Sequence, residues 1–172
     1  MNDRTLYFAY GSNMAIERLR ARVPSVELIC VAALVGHTLK FHKPSKKDGS
    51  GKCDAAYTGN SEDNVLGALY SIQTNQLPEL DRFEGRGHGY ERKTVSVTSP
   101  SNKTFSTETY IATNTDPHLR PLDWYKEHVL QGARAVELPS SYTAIIEAVV
   151  ADIDADEKRR ASELVIYSKP FG

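Results

Sequence analysis

The stretch TLYFAYGSNM, residues 5–14, is the part of the chain that says most about the fold. Residues 5–10 are rich in aromatic and other β-prone side chains, which predicts a strand. The strand ends at a glycine, after which Ser12 or Asn13 could cap a helix that begins near Met14. Such a strand–glycine–helix turn exposes backbone N–H groups near the positive end of a helix. It is typical of an anion site and equally of a plain, well-capped connection.

Outward from this turn, apolar patterning predicts mostly strands first and helices later. Strands are predicted within residues 26–42, with a break near Gly36, and as two pairs, 54–58 with 65–72 and 90–98 with 105–112. Helices are predicted from Met14 to before Pro24, over 75–84, after Pro121, after Pro139, and behind the capping-box pair Asp154 and Glu157. Residues 43–52 have the composition of a mobile loop. This order favours a single α+β domain over residues 1–172, with a curved or barrel-like sheet.

The composition excludes several classes of protein. The 172 residues include 21 Lys plus Arg and 22 Asp plus Glu, a net charge of -1, whereas a nucleic-acid binder usually has a basic excess on one face. No apolar run reaches the ~18–20 residues of a membrane helix. Cys30 and Cys53 are too few for a disulfide framework or a zinc site, and the histidines show no metal-ligand spacing. With no secretory segment before the first strand, we expect a cytoplasmic protein without a metal or other cofactor.

Glu84 is a second candidate for chemistry beside the glycine turn. It falls in the last turn of the helix predicted over 75–84, where a carboxylate opposes the helix dipole. If the Glu84 side chain is also partly buried beside its aromatic neighbours, the neutral, protonated form of its carboxyl is favoured, which suits proton transfer. The alternative is an exposed acid at a helix end that pairs with Arg82 or Arg86.

Three motifs together resemble the γ-glutamylcyclotransferase family. They are YFAYGSNM at residues 7–14, LDRFEGRGHGY at 80–90 and WYKEHVLQGARAVELPSSY at 124–142, and the similarity covers roughly residues 5–142. With Asn13 after the YGS turn, the first motif resembles that of the family branch that acts on γ-glutamyl amino acids. The resemblance implies a small mixed β-barrel surrounded by helices, a metal-free reaction and a possible homodimer.

The resemblance also assigns roles to residues. In this family the free α-amine of a γ-glutamyl group attacks its own γ-carbonyl, so 5-oxoproline forms and the attached amino acid or amine leaves. Glu84 aligns with the catalytic glutamate that moves the proton. The residues aligned with the substrate-binding positions are Tyr7, Tyr10, Gly11, Ser12, Asn13, Tyr90 and Tyr125. Tyr142 also matches, but it heads an apolar helix stripe that predicts core packing.

Two other functions stay open from the sequence. The same chemistry could remove a γ-glutamyl protecting group from a larger intermediate, with residues 43–53 and 116–118 shaping that choice. A non-catalytic module could instead keep the YGSN turn to bind a γ-glutamyl-like anion. A binder does not need Glu84, so its presence together with Tyr90 and Tyr125 favours the enzyme. In each case the partner is a small molecule.

Overall fold

The computed structural model describes residues 3–168, and its centre is a closed barrel of five strands. The seven strands in chain order are β1 Arg4–Ala9, β2 Glu27–Val35, β3 His37–Pro44, β4 Gly51–Tyr57, β5 Asn64–Gln73, β6 Tyr90–Thr98 and β7 Thr104–Ala112. The barrel order is β1-β5-β2-β6-β7, and β3 with β4 forms a separate two-stranded sheet.

The barrel is mixed because one of its five seams is parallel. Strands β1 and β5 pair antiparallel, with Tyr7 opposite Tyr70, and β6 pairs antiparallel with β7. Closure comes from β1 and β7, which run parallel with Tyr7 opposite Glu108. The small mixed barrel surrounded by helices that the sequence predicts is therefore confirmed.

Two predictions about the middle of the chain are wrong. Residues 54–58 pair with β3 rather than with 65–72, because β5 is buried almost along its whole length and lies between β1 and β2 in the barrel. The loop predicted over 43–52 is shorter than predicted, since β3 runs to Pro44 and β4 begins at Gly51. The polar composition of residues 43–52 is typical of a loop, but in the structure only residues 45–50 form the turn of a β-hairpin.

Five α-helices surround the barrel. They are α1 Ile16–Arg22, α2 Leu77–Glu84, α3 Asp123–Ala135, α4 Ser140–Glu147 and α5 Glu157–Leu164, with 3-10 turns at Ser12–Met14, Thr74–Gln76 and Val165–Tyr167. Glycine at position 85 ends α2 in the left-handed conformation, with φ 67°. Within residues 3–168, no helix combines the length and the apolar character needed to cross a bilayer.

Two predicted helix caps are corrected. Neither Ser12 nor Asn13 caps a helix with its side chain; α1 begins only after Ala15. The final helix is capped by Asp156, whose carboxylate accepts the N–H of Arg159, rather than by Asp154. Asp154 is buried instead and accepts a hydrogen bond from the Trp124 indole, so its carboxylate ties α3 to the C-terminal segment.

Helix α3 fixes the position of the turn that follows β1. A Cβ at Gly132 would lie 2.4 Å from the Ala15 nitrogen and 2.5 Å from atoms of Met14, so only glycine allows this packing. The Tyr70 hydroxyl of β5 donates to the Met14 carbonyl at 2.7 Å from the other side. The turn is therefore held between a helix and a barrel strand.

Candidate active site

All eight residues predicted for the site line one small cavity. It lies where the end of β1, the turn after it, β4, the end of α2 and the start of β6 meet α3. The lining residues are Tyr7, Tyr10, Gly11, Ser12, Asn13, Glu84, Tyr90 and Tyr125, joined by Cys53 and Tyr110. The cavity holds about 30 Å³, room for about two water molecules. A ligand of amino-acid size must therefore also occupy the space outside it.

The turn after β1 presents unused backbone donors to this cavity. The N–H groups of Gly11, Ser12 and Asn13 have no hydrogen-bond acceptor among the described residues, whereas those of Met14 and Ala15 bond to carbonyls within the turn. Three successive free N–H groups are an arrangement that binds anions. A Cβ at Gly11 would also lie 2.9 Å from the Cys53 Cβ, so glycine is needed there for the packing of β4.

Glu84 lies at the mouth of the cavity with two donors on the same carboxylate oxygen. Asn13 Nδ2 donates to Glu84 Oε1 at 2.7 Å, and Arg22 Nη1 donates to it at 3.1 Å. Arg22 also donates to Asn13 Oδ1 at 3.0 Å, which completes a triangle of three side chains. The Glu84 side chain is only 16% exposed, so this carboxylate is held in one place by a charge and an amide.

The alternative for Glu84, an exposed pair with a neighbouring arginine, is wrong. Arg82 bonds to Glu79, and Arg86 bonds to Asp81, so both arginines are occupied elsewhere. The actual partner, Arg22, is 62 residues away in sequence and comes from α1. Sequence reasoning missed it because nothing local links the two helices.

Burial keeps the cavity tyrosines neutral. It raises the pKa of Tyr7, Tyr10, Tyr90 and Tyr125 above the usual tyrosine range. Their hydroxyls are therefore donors and acceptors rather than charged groups at any physiological pH. Apart from Glu84, which is the only carboxylate that lines it among the described residues, the wall of the cavity is polar but uncharged.

The four hydroxyls are not equally available to a ligand. Tyr10 donates to the Tyr110 carbonyl and Tyr90 to the Cys53 carbonyl, so both protons are already used. The Tyr125 oxygen accepts the Cys53 N–H at 3.0 Å, and the Tyr7 oxygen accepts from an amide at 3.1 Å. Within residues 3–168, no oxygen accepts the hydroxyl proton of Tyr7 or Tyr125, and the acceptor beside Tyr125 is the Cys53 sulfur, which is a weak one. These two are the hydroxyl donors that a substrate can use.

Cys53 and Tyr110 were not predicted from the sequence. Burial raises the pKa of the Cys53 thiol to about 12, so it is an unreactive thiol that packs against the turn. The Tyr110 hydroxyl donates to Asp81 Oδ1 at 2.7 Å, and Arg92 bonds to the other oxygen of that carboxylate at 2.6 Å. Because Asp81 and Glu84 share α2, this network fixes the helix that carries Glu84 against the barrel.

The cavity opens into a larger groove of about 370 Å³, which shares Ser12, Glu84, Tyr90 and Tyr125 with it. The β3–β4 turn and α1 supply much of its wall. Phe83 of α2 is 43% exposed at this groove, under the guanidinium of Arg22. Residues 116–118, considered from the sequence as shaping the site, do not line the groove.

Tyr142 is buried and does not line the cavity, as its place on an apolar stripe predicts. Within residues 3–168, no group of three or more His, Cys, Asp or Glu side chains is arranged to hold a metal ion.

Several proteins similar to this chain in sequence and in structure share one name. The chain is 31% identical to a human protein named gamma-glutamylcyclotransferase over 152 residues, which cover 84% of this chain and 78% of that protein. It is 30% identical to the bovine protein of the same name, with 92% and 84% covered. A solved structure named gamma-glutamyl cyclotransferase has a TM-score of 0.83 at 26% identity and covers 97% of this chain and all of its own. The model of the AIG2-like family matches residues 64–146.

Proposed function

The chain belongs to the γ-glutamylcyclotransferase family, and from this premise we propose that it cyclises a γ-glutamyl group to 5-oxoproline and releases the attached amino acid. The YGSN form of the turn supports a γ-glutamyl amino acid as substrate. The reaction needs no second substrate, because nucleophile and electrophile are parts of one molecule.

Glu84 is the group that moves the proton in this proposal. As the α-amine nitrogen bonds to the γ-carbonyl carbon, its proton passes to the Glu84 carboxylate. The tetrahedral intermediate then breaks its bond to the outgoing nitrogen, which receives the same proton from Glu84. One C–N bond forms and one breaks, no water is consumed, and Glu84 ends in its starting state.

The turn and two tyrosines hold the substrate. The free N–H groups of Gly11, Ser12 and Asn13 suit the glutamyl α-carboxylate, because successive amides bind anions. The uncommitted hydroxyl protons of Tyr7 and Tyr125 suit the carbonyl oxygen on which negative charge develops. Holding the chain folded supplies a large part of the rate, since ring closure depends on near-attack geometry.

The single observation that supports this proposal most is the position of Glu84. It is the one acid that lines both the small cavity and the wider groove among the described residues, so a γ-amide spanning the two brings its reacting bond to that carboxylate. A module that only binds its ligand does not need a proton acceptor beside the reacting bond. The geometry therefore favours catalysis over plain binding.

The second candidate is removal of a γ-glutamyl protecting group from a larger intermediate. The width of the groove favours it, since the space outside the cavity is about twelve times larger than the cavity itself, 370 against 30 Å³. The chemistry at Glu84 would be the same, and only the released amine would differ.

The deciding experiment is an assay of 5-oxoproline release from γ-glutamyl amino acids, glutathione and γ-glutamyl-lysine, with wild type and Glu84→Gln. Release that depends on Glu84 supports the proposal, and the ranking of the panel identifies the branch. If the folded protein released nothing from any compound, cyclisation of small γ-glutamyl substrates would be wrong. The cytoplasmic location, the homodimer and the single domain over residues 1–172 remain predictions that this assay does not address.

A further inference from the structure

The groove outside the cavity has an unusual charge for this protein. Among residues 3–168, seven Lys and Arg side chains line it, against three acidic ones, whereas the whole chain has a net charge of -1. Like charges gathered in one concave surface repel each other and attract anions. Ion pairs within the protein neutralise only part of this positive charge.

Four of the seven cations have an acidic partner. Arg18 bonds to Glu163 at 2.7 Å, Arg22 to Glu84 at 3.1 Å, Lys52 to Asp48 at 3.0 Å, and Arg82 to Glu79. The other three are Lys43, Lys46 and Lys47, whose ammonium groups have no acidic partner and no hydrogen bond within residues 3–168. All three lie at the end of β3 and in the turn that follows it. The uncompensated charge is therefore concentrated on one wall.

Lys43 is held in place at the junction of groove and cavity. Its side chain is buried and lies along Gly89, where a Cβ would be 2.6 Å from the Lys43 Cε. Its Nζ stands 4.6 Å from the centroid of the Tyr90 ring, which lines both cavity and groove. Burial lowers the pKa of this ammonium, because keeping it charged away from water costs free energy in the ligand-free protein. An anion beside Lys43 would offset that cost.

Lys46 and Lys47 are farther out and exposed on the β3–β4 turn. The turn itself is fixed, because Asp48 accepts hydrogen bonds from the Ser50 hydroxyl at 2.7 Å and from Lys52 at 3.0 Å. The two lysines are thus presented on a structured hairpin. A ligand that spans the groove would contact Lys43 with its inner part and this pair with its outer part.

We propose that the preferred substrates are γ-glutamyl amino acids whose released amino acid is itself acidic, with its α-carboxylate at Lys43 and its side-chain carboxylate at Lys46 and Lys47. This inference rests on the proposed cyclisation, because the γ-glutamyl part must occupy the cavity for the rest to extend into the groove. A released amino acid with a neutral side chain satisfies Lys43 and leaves the outer pair unmatched. The groove volume of about 370 Å³ suits a small ligand.

The test compares γ-glutamyl-glutamate with γ-glutamyl-glutamine, which differ only by an amide in place of the outer carboxylate. We expect kcat/KM of the wild type to be about tenfold higher for γ-glutamyl-glutamate at low salt, and the advantage to shrink at high salt because exposed charges are screened. In the Lys46→Gln/Lys47→Gln protein the ratio should fall toward one. In Lys43→Gln both substrates should lose kcat/KM by similar factors, because the α-carboxylate is common to them.

The matched control is Lys93→Gln. Lys93 is an exposed lysine of β6 that does not line the groove, so its substitution removes one positive charge, as each single lysine substitution does, but should keep the ratio. A wild-type ratio near one, or a ratio that Lys93→Gln lowers as much as the double substitution does, would overturn the inference while cyclisation itself stands.

Calorimetry separates failure of the inference from failure of the proposed function. If neither compound were cleaved, the proposed cyclisation of these substrates would be wrong, and binding would then decide the inference by itself. Tighter binding of γ-glutamyl-glutamate to wild type than to the Lys46→Gln/Lys47→Gln protein supports the acidic specificity. Equal binding of the two compounds to wild type contradicts it.

Discussion

The cavity and the groove are adjacent, but they are built in different ways. The cavity is lined by neutral hydroxyls and backbone amides that come from strands far apart in sequence, with Glu84 as the one carboxylate that the described part of the chain supplies. The groove is lined by charged side chains, and three lysines of one hairpin supply its excess charge. A neutral, tightly packed cavity suits chemistry that every substrate shares. A charged, open groove suits discrimination between leaving groups, which can change without disturbing the barrel.

The largest effect is expected from Glu84→Gln, which tests the cavity side of this contrast. The amide cannot accept the α-amine proton, so kcat should fall by about 10²–10⁴ for every γ-glutamyl substrate alike. Glu79→Gln is the matched control, because Glu79 is an acid of the same helix whose side chain is 44% exposed and lines neither space. A Glu84→Gln protein with near wild-type kcat would contradict the role of Glu84.

Tyr125→Phe should have a smaller effect, again on all substrates. It removes a proposed donor and leaves the buried Cys53 N–H without its acceptor, so we expect about a tenfold loss in kcat/KM and about 1–3 kcal/mol of stability. Tyr142→Phe is the control, since that hydroxyl is buried without a hydrogen-bond partner among the described residues. Equal kinetics and melting temperatures for the two variants would contradict a role of the Tyr125 hydroxyl in substrate conversion and in stability.

Gly11→Ala should act on stability as well as on binding. The resemblance alone suggests that Gly11 admits the substrate, but a methyl group there would press on the Cys53 Cβ from 2.9 Å. We expect a loss of about 1–3 kcal/mol, measured by thermal unfolding. Ser12→Ala, which adds no volume at the neighbouring position, should leave the melting temperature nearly unchanged. An unaltered melting temperature for Gly11→Ala would mean that β4 can shift away.

The smallest effect is expected on the groove wall, from Glu163→Gln. Hydrogen bonding from His128, with the charge of Arg18, lowers the pKa of Glu163 to about 2, below its unfolded value. The stability from this group is therefore complete above about pH 4.5 and is lost as the pH falls toward 2. Because the side chain is 29% exposed, we expect about 1–2 kcal/mol at neutral pH.

The measurement for Glu163 is the melting temperature as a function of pH. The gap between wild type and Glu163→Gln should be widest at neutral pH and close in acid. Glu157→Gln, an exposed acid on the same helix, should show no such gap. A gap that stayed constant down to pH 2 would indicate a packing effect instead of a charge effect.

The same contrast explains what the sequence could predict. The turn after β1, the helix end at Glu84 and the strand content follow from local patterns, and the eight residues that the family motifs indicate lie together around the cavity. Arg22 was missed because its contact with Glu84 joins two helices 62 residues apart. The composition of residues 43–52 predicts a loop where the ends of β3 and β4 lie, because these polar residues include Lys43, whose burial depends on a glycine and an aromatic ring from another part of the chain.

Trp124 gives the groove an optical readout of its own. It is the only tryptophan of the chain, it lines the groove, and the ammonium of Lys52 lies 4.5 Å from its ring. Tryptophan emission responds to nearby charge and to water, so a ligand in the groove that moves Lys52 changes the fluorescence of the unlabelled protein. Ligands confined to the cavity meet tyrosines instead. Emission from Trp124 can thus report occupancy of the groove without a label.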